Sequence, residues 1–178
     1  MARLGLGDAW TCIFANDFDP AKAATYRANF SDADAHFHEG DVWALTPADM
    51  PGPVDLAWAS SPCQDFSLAG ARAGLVGGRS SAFFGFWRLM EALDDENRAP
   101  RAIVIENVSG LLTSNGGADF AALGAALSAR GYRFGALEID AAAFLPQSRP
   151  RVFVVAARAA PAELVGARPF HTRAVRAA

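Results

Sequence analysis

Residues 55–70 read DLAWASSPCQDFSLAG, and the change of character within this stretch decides the fold. The apolar run from Val54 to Ser60 predicts a buried strand. The sequence then turns polar, so that Cys63 stands between a proline and a glutamine at the mouth of that strand. A reactive thiolate needs partial exposure, which a loop after a strand provides. A lone cysteine is more often inert and buried, so Cys63 by itself leaves both interpretations open.

Apolar runs alternate with helical patterns along the chain, which is typical of α/β proteins with parallel strands. Further strands are predicted at Trp10–Asn16, within AHFHEGDV, and at Arg101–Val108. Asp19 and Pro20 predict the start of a helix, because aspartate caps helices and proline suits the first helical position. The stretch SAFFGFWRLMEALDD predicts a second helix, and GADFAALGAALSARG predicts a third that ends at Gly131. The segments YRFGALEIDAAAF and RVFVVAAR predict an antiparallel pair that closes the sheet.

The composition fits one globular domain. The chain has 178 residues, of which 52% are hydrophobic and 20% are charged. No apolar run reaches the roughly 18 residues that a membrane helix needs, and no signal-peptide pattern is present, so we expect a cytoplasmic protein. Two cysteines are too few for a structural zinc site, and no metal is expected. The net charge of −3 argues weakly against a surface coated for nucleic acid.

Four residues that can do chemistry fall at the ends of predicted strands, namely Asp17, Asp41, Cys63 and Glu106. Ligands of open α/β sheets bind outside the carboxyl ends of the strands, so we expect these side chains to share one site. In a site of low dielectric a glutamate can give a proton, although a capping or solvated carboxylate is an equal alternative for Glu106.

Further polar residues alternate within FLPQSRPRVFVVA, namely Gln147, Arg149 and Arg151. Alternate residues of an extended segment face the same side. Two arginines and a glutamine on one face form a fork for an anionic or carbonyl-bearing ligand. The alternative is an exposed strand edge on which arginines oppose aggregation.

Three short segments resemble, in their order along the chain, the motifs of the cytosine-C5 DNA methyltransferase family. They are Pro62-Cys63-Gln64, Glu106-Asn107-Val108 and Gln147-Ser148-Arg149-Pro150-Arg151. The resemblance extends from about Leu4 to Arg158 and implies a class I S-adenosylmethionine-dependent methyltransferase, with a Rossmann-like α/β sheet. The glycine-rich loop Gln64–Ser81 includes Ser67–Arg79, which looks like the mobile catalytic loop of the family. The family is associated with restriction–modification.

The resemblance implies a reaction on double-stranded DNA, in which a cytosine is flipped out of the helix. The Cys63 thiolate would attack C6 of that base, and S-adenosylmethionine would supply the methyl group for C5. Glu106 would bind the ring N3 and the exocyclic amine, while Arg149 and Arg151 would fix the base carbonyl and nearby charges. The residues expected to bind substrate are Gln64, Ser67, Arg79, Asn107 and Gln147.

The same resemblance implies the residues that bind S-adenosylmethionine. Asp17 stands where an acidic residue binds the ribose hydroxyls, and Phe18 where an aromatic ring packs on the adenine. Asp41 would accept from the adenine amine, and Pro62 would also line the cofactor site. For Asp17, helix capping is the alternative.

The resemblance further predicts an incomplete sheet. Residues 1–158 correspond to a partial catalytic domain, and residues 159–178 to a tail leading toward an absent target-recognition domain. The first central strand of the family and its glycine loop have no counterpart before LGLGDAW. We therefore expect weak or no cofactor binding by the chain alone, and a complementing chain that carries the missing segments. The alternatives are a non-catalytic remnant or partner of a methyltransferase, or an RNA cytosine methyltransferase.

Overall fold

Two separate β-sheets organise the fold. The computed structural model describes residues 2–61 and 82–159. A two-stranded parallel sheet joins β1 (Ala15–Asp17) to β2 (Phe37–Glu39). The second sheet has the order β3-β4-β6-β5 and contains β3 (Leu56–Ala59), β4 (Ala102–Asn107), β5 (Arg133–Asp140) and β6 (Pro150–Ala157). Strands β3 and β4 are parallel, whereas β6 runs antiparallel to both of its neighbours. The predicted α/β class and the antiparallel pair are confirmed.

Two helix ends lie where their capping residues predict. The described residues contain α1 (Ala2–Leu6), α2 (Pro20–Asn29), α3 (Ala82–Asp95) and α4 (Ala118–Ala129). The Asp19 carboxylate accepts the first free amides of α2, from Ala21 at 2.8 Å and Lys22 at 3.3 Å. After α4, Gly131 adopts a φ of 77°, and its amide donates to the Ser128 carbonyl at 3.0 Å. Glycine adopts this left-handed backbone without strain, so both predicted boundaries are confirmed.

The first strand is shorter than predicted. The expected strand was Trp10–Asn16, but β1 begins only at Ala15. Trp10 and Ile13 are 46% and 38% exposed, so the apolar run before Ala15 is not a buried strand. A strand persists only where a neighbour supplies hydrogen bonds, and in the described residues β1 pairs with β2 alone. Between β1 and β3 no described strand pairing exists, as expected for a sheet without its first central strand.

Only one face of the four-stranded sheet carries the main core. Helices α3 and α4 pack on it, and the fully buried sheet residues of this cluster are Ile103, Ile105, Val152, Val154 and Ala156. Successive side chains of a strand point to opposite faces. The other face therefore carries Glu106 and Arg151 together with the exposed side chains of Leu137, Ile139 and Val155.

No helix in the described parts of the chain has both the length and the apolar character of a membrane span.

A polar network fixes α1 against the two-stranded sheet. Arg3 Nη2 lies 2.6 Å from Asp32 Oδ2, and Arg3 Nη1 donates to the Tyr26 hydroxyl at 3.2 Å. The same hydroxyl lies 2.9 Å from Nε2 of the buried His36 and 3.5 Å from Cys12 Sγ. Burial raises the pKa of Tyr26 to about 12, so the phenol stays protonated at neutral pH. Cys12 is thus held by a structural network.

Truncation of Ile105 is expected to destabilise the chain strongly. Its side chain is fully buried in the main core, and removal of three carbons leaves a cavity beside α3 and α4. The Ile105→Ala variant should lose about 2–5 kcal/mol of unfolding free energy in urea titrations. The matched control, Ile13→Ala, changes a side chain that is 38% exposed and should cost about 1 kcal/mol or less. Equal losses in the two variants would contradict this description of the core.

Candidate functional site

The Glu106 carboxylate is held from two sides. The residue is the last but one of β4, and its side chain is 26% exposed. Its Oε2 accepts a hydrogen bond of 2.7 Å from the Ser60 hydroxyl, which follows β3. Its Oε1 lies 3.7 Å from Nε of Arg151 on β6. Three strands therefore contribute to the position of one carboxylate, and its orientation is fixed.

The neighbouring Asn107 points to the opposite face and is buried. Its side-chain amide donates to the Ser61 carbonyl at 3.1 Å, while its Oδ1 accepts the Val108 amide at 2.8 Å. A buried amide satisfied in this way ties the chain after β3 to the end of β4. Asn107 therefore fixes the point from which the chain continues to Cys63, two residues after Ser61.

Two cavities meet at Glu106, Arg149 and Arg151. The first has a volume of about 310 Å³ and is lined mainly by apolar and aromatic side chains, namely Ile139, Ala141, Phe144 and Phe153. The second, of about 260 Å³, is lined by polar residues and one valine, namely Ser60, Ser61, Asn107 and Val108. The second cavity thus combines a carboxylate, two guanidinium groups and the chain that leads to Cys63. Such a cavity can bind a small ring that carries both hydrogen-bond donors and acceptors.

The turn that carries Arg149 is organised by Asp140. The Asp140 carboxylate accepts from the amides of Ala142 at 3.0 Å and Arg149 at 2.7 Å, and from the Ser148 hydroxyl at 3.0 Å. These hydrogen bonds, that of Ala142 first, hold the pKa of Asp140 below its usual value. One carboxylate therefore closes the turn between β5 and β6 and fixes the backbone of Arg149.

Acidification is expected to loosen this turn. Because the pKa of Asp140 is lowered on folding, its contribution to stability is present above the ordinary aspartate pKa. That contribution is lost as the pH falls through the lowered value. Asp140→Ala should remove this pH dependence and speed hydrogen exchange of the Arg149 amide at neutral pH. The control, Asp34→Ala, alters a carboxylate whose side chain is 94% exposed. Unchanged exchange at Arg149 in Asp140→Ala would contradict the role given to this carboxylate.

Gln147 does not share the face of the two arginines. It lies in a bend before β6, its side chain is exposed, and it lines neither of the two cavities. The alternation expected for the three residues holds only where the chain is extended, and β6 begins at Pro150. Among the predicted fork residues, only Arg149 and Arg151 are brought to Glu106.

A second group of predicted residues lies at the carboxyl ends of β1 and β2. Asp17 Oδ1 accepts the Asp19 amide at 3.0 Å, and its Oδ2 is 3.8 Å from Lys22 Nζ. Phe18 is 68% exposed and offers a free ring face. Asp41 accepts the Trp43 amide at 3.0 Å and caps the 3-10 helix Val42–Ala44. An acceptor carboxylate beside an exposed ring suits the ribose and the adenine of a nucleoside.

Several predicted residues lie outside the described part of the chain. They are Pro62, Cys63, Gln64, Ser67 and Arg79, together with the glycine-rich loop at 64–81. The tail is described only as far as residue 159. The roles given to these residues stay predictions.

The sequence predictions did not include Trp58, Ser60 or Asp140. Ser60 contacts Glu106 across 46 residues of sequence, a pairing that follows only from the register of β3 and β4. Asp140 carries a local signal, because an aspartate followed by three alanines is typical of a helix N-terminus. Reading that pattern would have identified the turn in front of Arg149.

Comparison with known proteins identifies the family of the chain. The C-5 cytosine-specific DNA methylase family matches residues 2–174, and the chain therefore belongs to this family. The Type II methyltransferase M.BsuFI of Bacillus subtilis is 34% identical over 155 residues, which are 86% of this chain and 36% of that protein. M.HaeII of Haemophilus aegyptius is 31% identical over 156 residues, covering 86% of this chain and 46% of that protein.

Solved structures share the fold. The Dnmt2 methyltransferase of S. pombe superimposes with a TM-score of 0.60 at 24% identity, over 83% of this chain and 42% of that one. This chain therefore spans less than half the length of each of the three proteins named.

Proposed function

We propose that the chain carries the catalytic centre of a DNA (cytosine-5-)-methyltransferase, which transfers a methyl group to C5 of a flipped cytosine. The observation that supports it most is the second cavity, where Glu106 and two arginines meet the chain that leads to Cys63. Cys63 follows Ser61 by two residues in the sequence. We therefore infer that the nucleophile and the carboxylate act on one ring.

In this mechanism the Cys63 thiolate attacks C6 of the cytosine and forms a covalent bond to the enzyme. Glu106 in its protonated form donates its proton to the ring N3 and accepts a hydrogen bond from the exocyclic amine, which draws electron density from the ring and assists the attack; the proton returns to Glu106 when the product is released. Arg149 and Arg151 stabilise the base carbonyl and the negative charge that develops. After methylation, loss of the C5 proton and departure of the thiolate restore the free enzyme.

S-adenosylmethionine supplies the methyl group when it is bound. The residues proposed to hold it are Asp17 at the ribose, Phe18 against the adenine, Asp41 at the adenine amine, and Pro62. Their chemistry fits, because in the described parts of the chain Asp17 Oδ2 has only the Lys22 ammonium, 3.8 Å away, as a charged neighbour, and the Phe18 ring is exposed. Both groups can therefore accept a nucleoside without breaking a strong contact.

The proposal extends to the residues that bind DNA. In this proposal Gln64, Ser67, Arg79 and the exposed Gln147 contact the DNA. Asn107 is buried and its side-chain amide is already hydrogen-bonded, so it acts by tying the chain after β3 to the end of β4. A further strand that pairs with β1 and β3, in a longer form of this chain or in a complementing one, is part of this proposal. Its support is the unpaired edge that β1 and β3 each present within the described residues.

Methyl transfer itself tests the function. The 178-residue chain, alone and with a polypeptide that carries the remaining segments of a family member, is incubated with labelled S-adenosylmethionine and duplex DNA. The expected product is 5-methylcytosine in the DNA, detected by mass spectrometry of the nucleosides. A parallel incubation with transfer RNA distinguishes an RNA methyltransferase. Absence of product in every combination would identify a non-catalytic remnant and reject the proposal.

A further inference from the structure

A chain of hydrogen bonds runs from Trp58 through Ser60 to Glu106. The indole Nε1 of Trp58 donates to the Ser60 hydroxyl at 2.9 Å, and that hydroxyl lies 2.7 Å from Glu106 Oε2. Trp58 lies in β3 opposite Val104 of β4. Two residues further along both parallel strands, Ser60 and Glu106 are therefore neighbours on the same face. The strand register brings the three side chains together.

The direction of these hydrogen bonds follows from their chemistry. An indole N–H can only donate, so the Ser60 oxygen must accept from it. The single hydroxyl proton of Ser60 is then directed to the carboxylate, which is an acceptor when ionised. The Trp58 ring is itself packed edge-on against Phe153, with a centroid distance of 6.1 Å and an interplanar angle of 67°. The serine hydroxyl therefore has one orientation.

The two oxygens of Glu106 have different neighbours. Oε2 receives the Ser60 proton, while Oε1 faces the Arg151 guanidinium at 3.7 Å. The charged groups that line the cavities with Glu106 are Arg149 and Arg151, both near the start of β6. A carboxylate at this distance from an arginine is only loosely held by it, because an ordinary hydrogen bond is below 3.2 Å. The short hydrogen bond from Ser60 is therefore the contact that determines the carboxylate plane.

We propose that Ser60 is a positioning residue for Glu106, and that Trp58 fixes the proton of Ser60 for this purpose. The inference rests on the proposed function for its effect on catalysis, but the hydrogen-bond relay exists without substrate. Ser60 presents the carboxylate in one plane to a base in the second cavity. Because catalysis requires accurate alignment of the groups that bind the base, loss of this hydrogen bond lowers the rate of the chemical step more than substrate affinity.

Kinetics of methyl transfer test the positioning role. Ser60→Ala should lower kcat by about 10–100-fold, the loss expected for a hydrogen bond to a charged group, with KM for DNA within about twofold. Ser60→Thr keeps the hydroxyl and should restore kcat to within a few-fold. Trp58→Phe should lower kcat less, and should add no further loss to Ser60→Ala. Ser109→Ala is the matched control and should leave kcat unchanged, because it removes a buried hydroxyl that has no hydrogen-bond partner among the described residues.

A spectroscopic measurement tests the relay without turnover. The indole N–H resonance of Trp58, assigned by its loss in Trp58→Phe, should change its chemical shift in Ser60→Ala, which removes the acceptor of the indole N–H, and in Glu106→Gln, which changes the group that receives the Ser60 proton. The resonance should stay in place in Ser109→Ala. A resonance that is unchanged in Ser60→Ala would overturn the inference. A wild-type chain in which these substitutions move the resonance, but which shows no methylation, would keep the relay and reject the proposed function.

Discussion

Cys63→Ala is expected to abolish the covalent adduct with DNA that contains 5-fluorocytosine. With S-adenosylmethionine present, methyl transfer to C5 leaves fluorine where a proton would otherwise be removed. Because fluorine cannot leave as a proton does, the thiolate cannot depart from C6 and the enzyme remains bound to the base. The thiolate is the group that forms this bond, and alanine has no substitute for it. The measurement is a shift in mass on denaturing gels, made with the wild-type chain and the same complementing polypeptide that supports methylation.

The chain contains its own control for this experiment. Cys12 is the other of the two cysteines in the chain. It is half-buried, and its Sγ lies 3.5 Å from both the Phe14 carbonyl and the Tyr26 hydroxyl. Cys12→Ala should retain the adduct. An adduct that persists in Cys63→Ala and disappears in Cys12→Ala would show that Cys12, and not Cys63, is the nucleophile, which would contradict our proposal.

Glu106→Gln is expected to lower the rate of methyl transfer by about 10²–10⁴-fold, the usual effect of removing a positioned acid–base group. Glutamine has nearly the same shape, so the fold should be preserved. Its amide can neither exchange a proton with the cytosine N3 nor carry the charge that faces Arg151. The loss should therefore appear in kcat, and the adduct with 5-fluorocytosine DNA should form more slowly.

The matched control is Glu138→Gln on β5. This residue is exposed, stands opposite Val152, and lines neither of the two cavities. Thermal unfolding of both variants should match the wild-type chain. A Glu106→Gln variant that methylates at the wild-type rate would remove Glu106 from the mechanism. A variant that loses stability as well as rate would indicate a structural role for the carboxylate.

The predictable part of the fold was local. Asp19, Pro20 and Gly131 act through hydrogen bonds and backbone angles within a few residues, so the boundaries of α2 and α4 followed from the sequence. The length of β1 was not predictable in this way. A strand is defined by its partners, and the apolar run before Ala15 has none among the described residues.

The candidate site likewise contains residues that could be predicted from the sequence and residues that depend on long-range strand pairing. Glu106, Arg149 and Arg151 were identified by their order in the sequence, and the structure brings them to two shared cavities. Ser60 was not identified, because its contact with Glu106 depends on strand register across 46 residues. Gln147 was expected on the arginine face, but the turn closed by Asp140 interrupts the extended segment before β6.

The division into two sheets has a consequence for how binding energy is used. Glu106 belongs to β4, which is hydrogen-bonded on both sides, so its backbone is ordered before any ligand arrives. Asp17 belongs to a three-residue strand that, within residues 2–61 and 82–159, is paired on one side only. In the proposed enzyme, the conformational entropy lost when binding residues become ordered is therefore lost mainly in the half of the site that binds the cofactor. The base-binding half is preorganised for chemistry, whereas part of the affinity for the methyl donor is spent on ordering the residues that hold it.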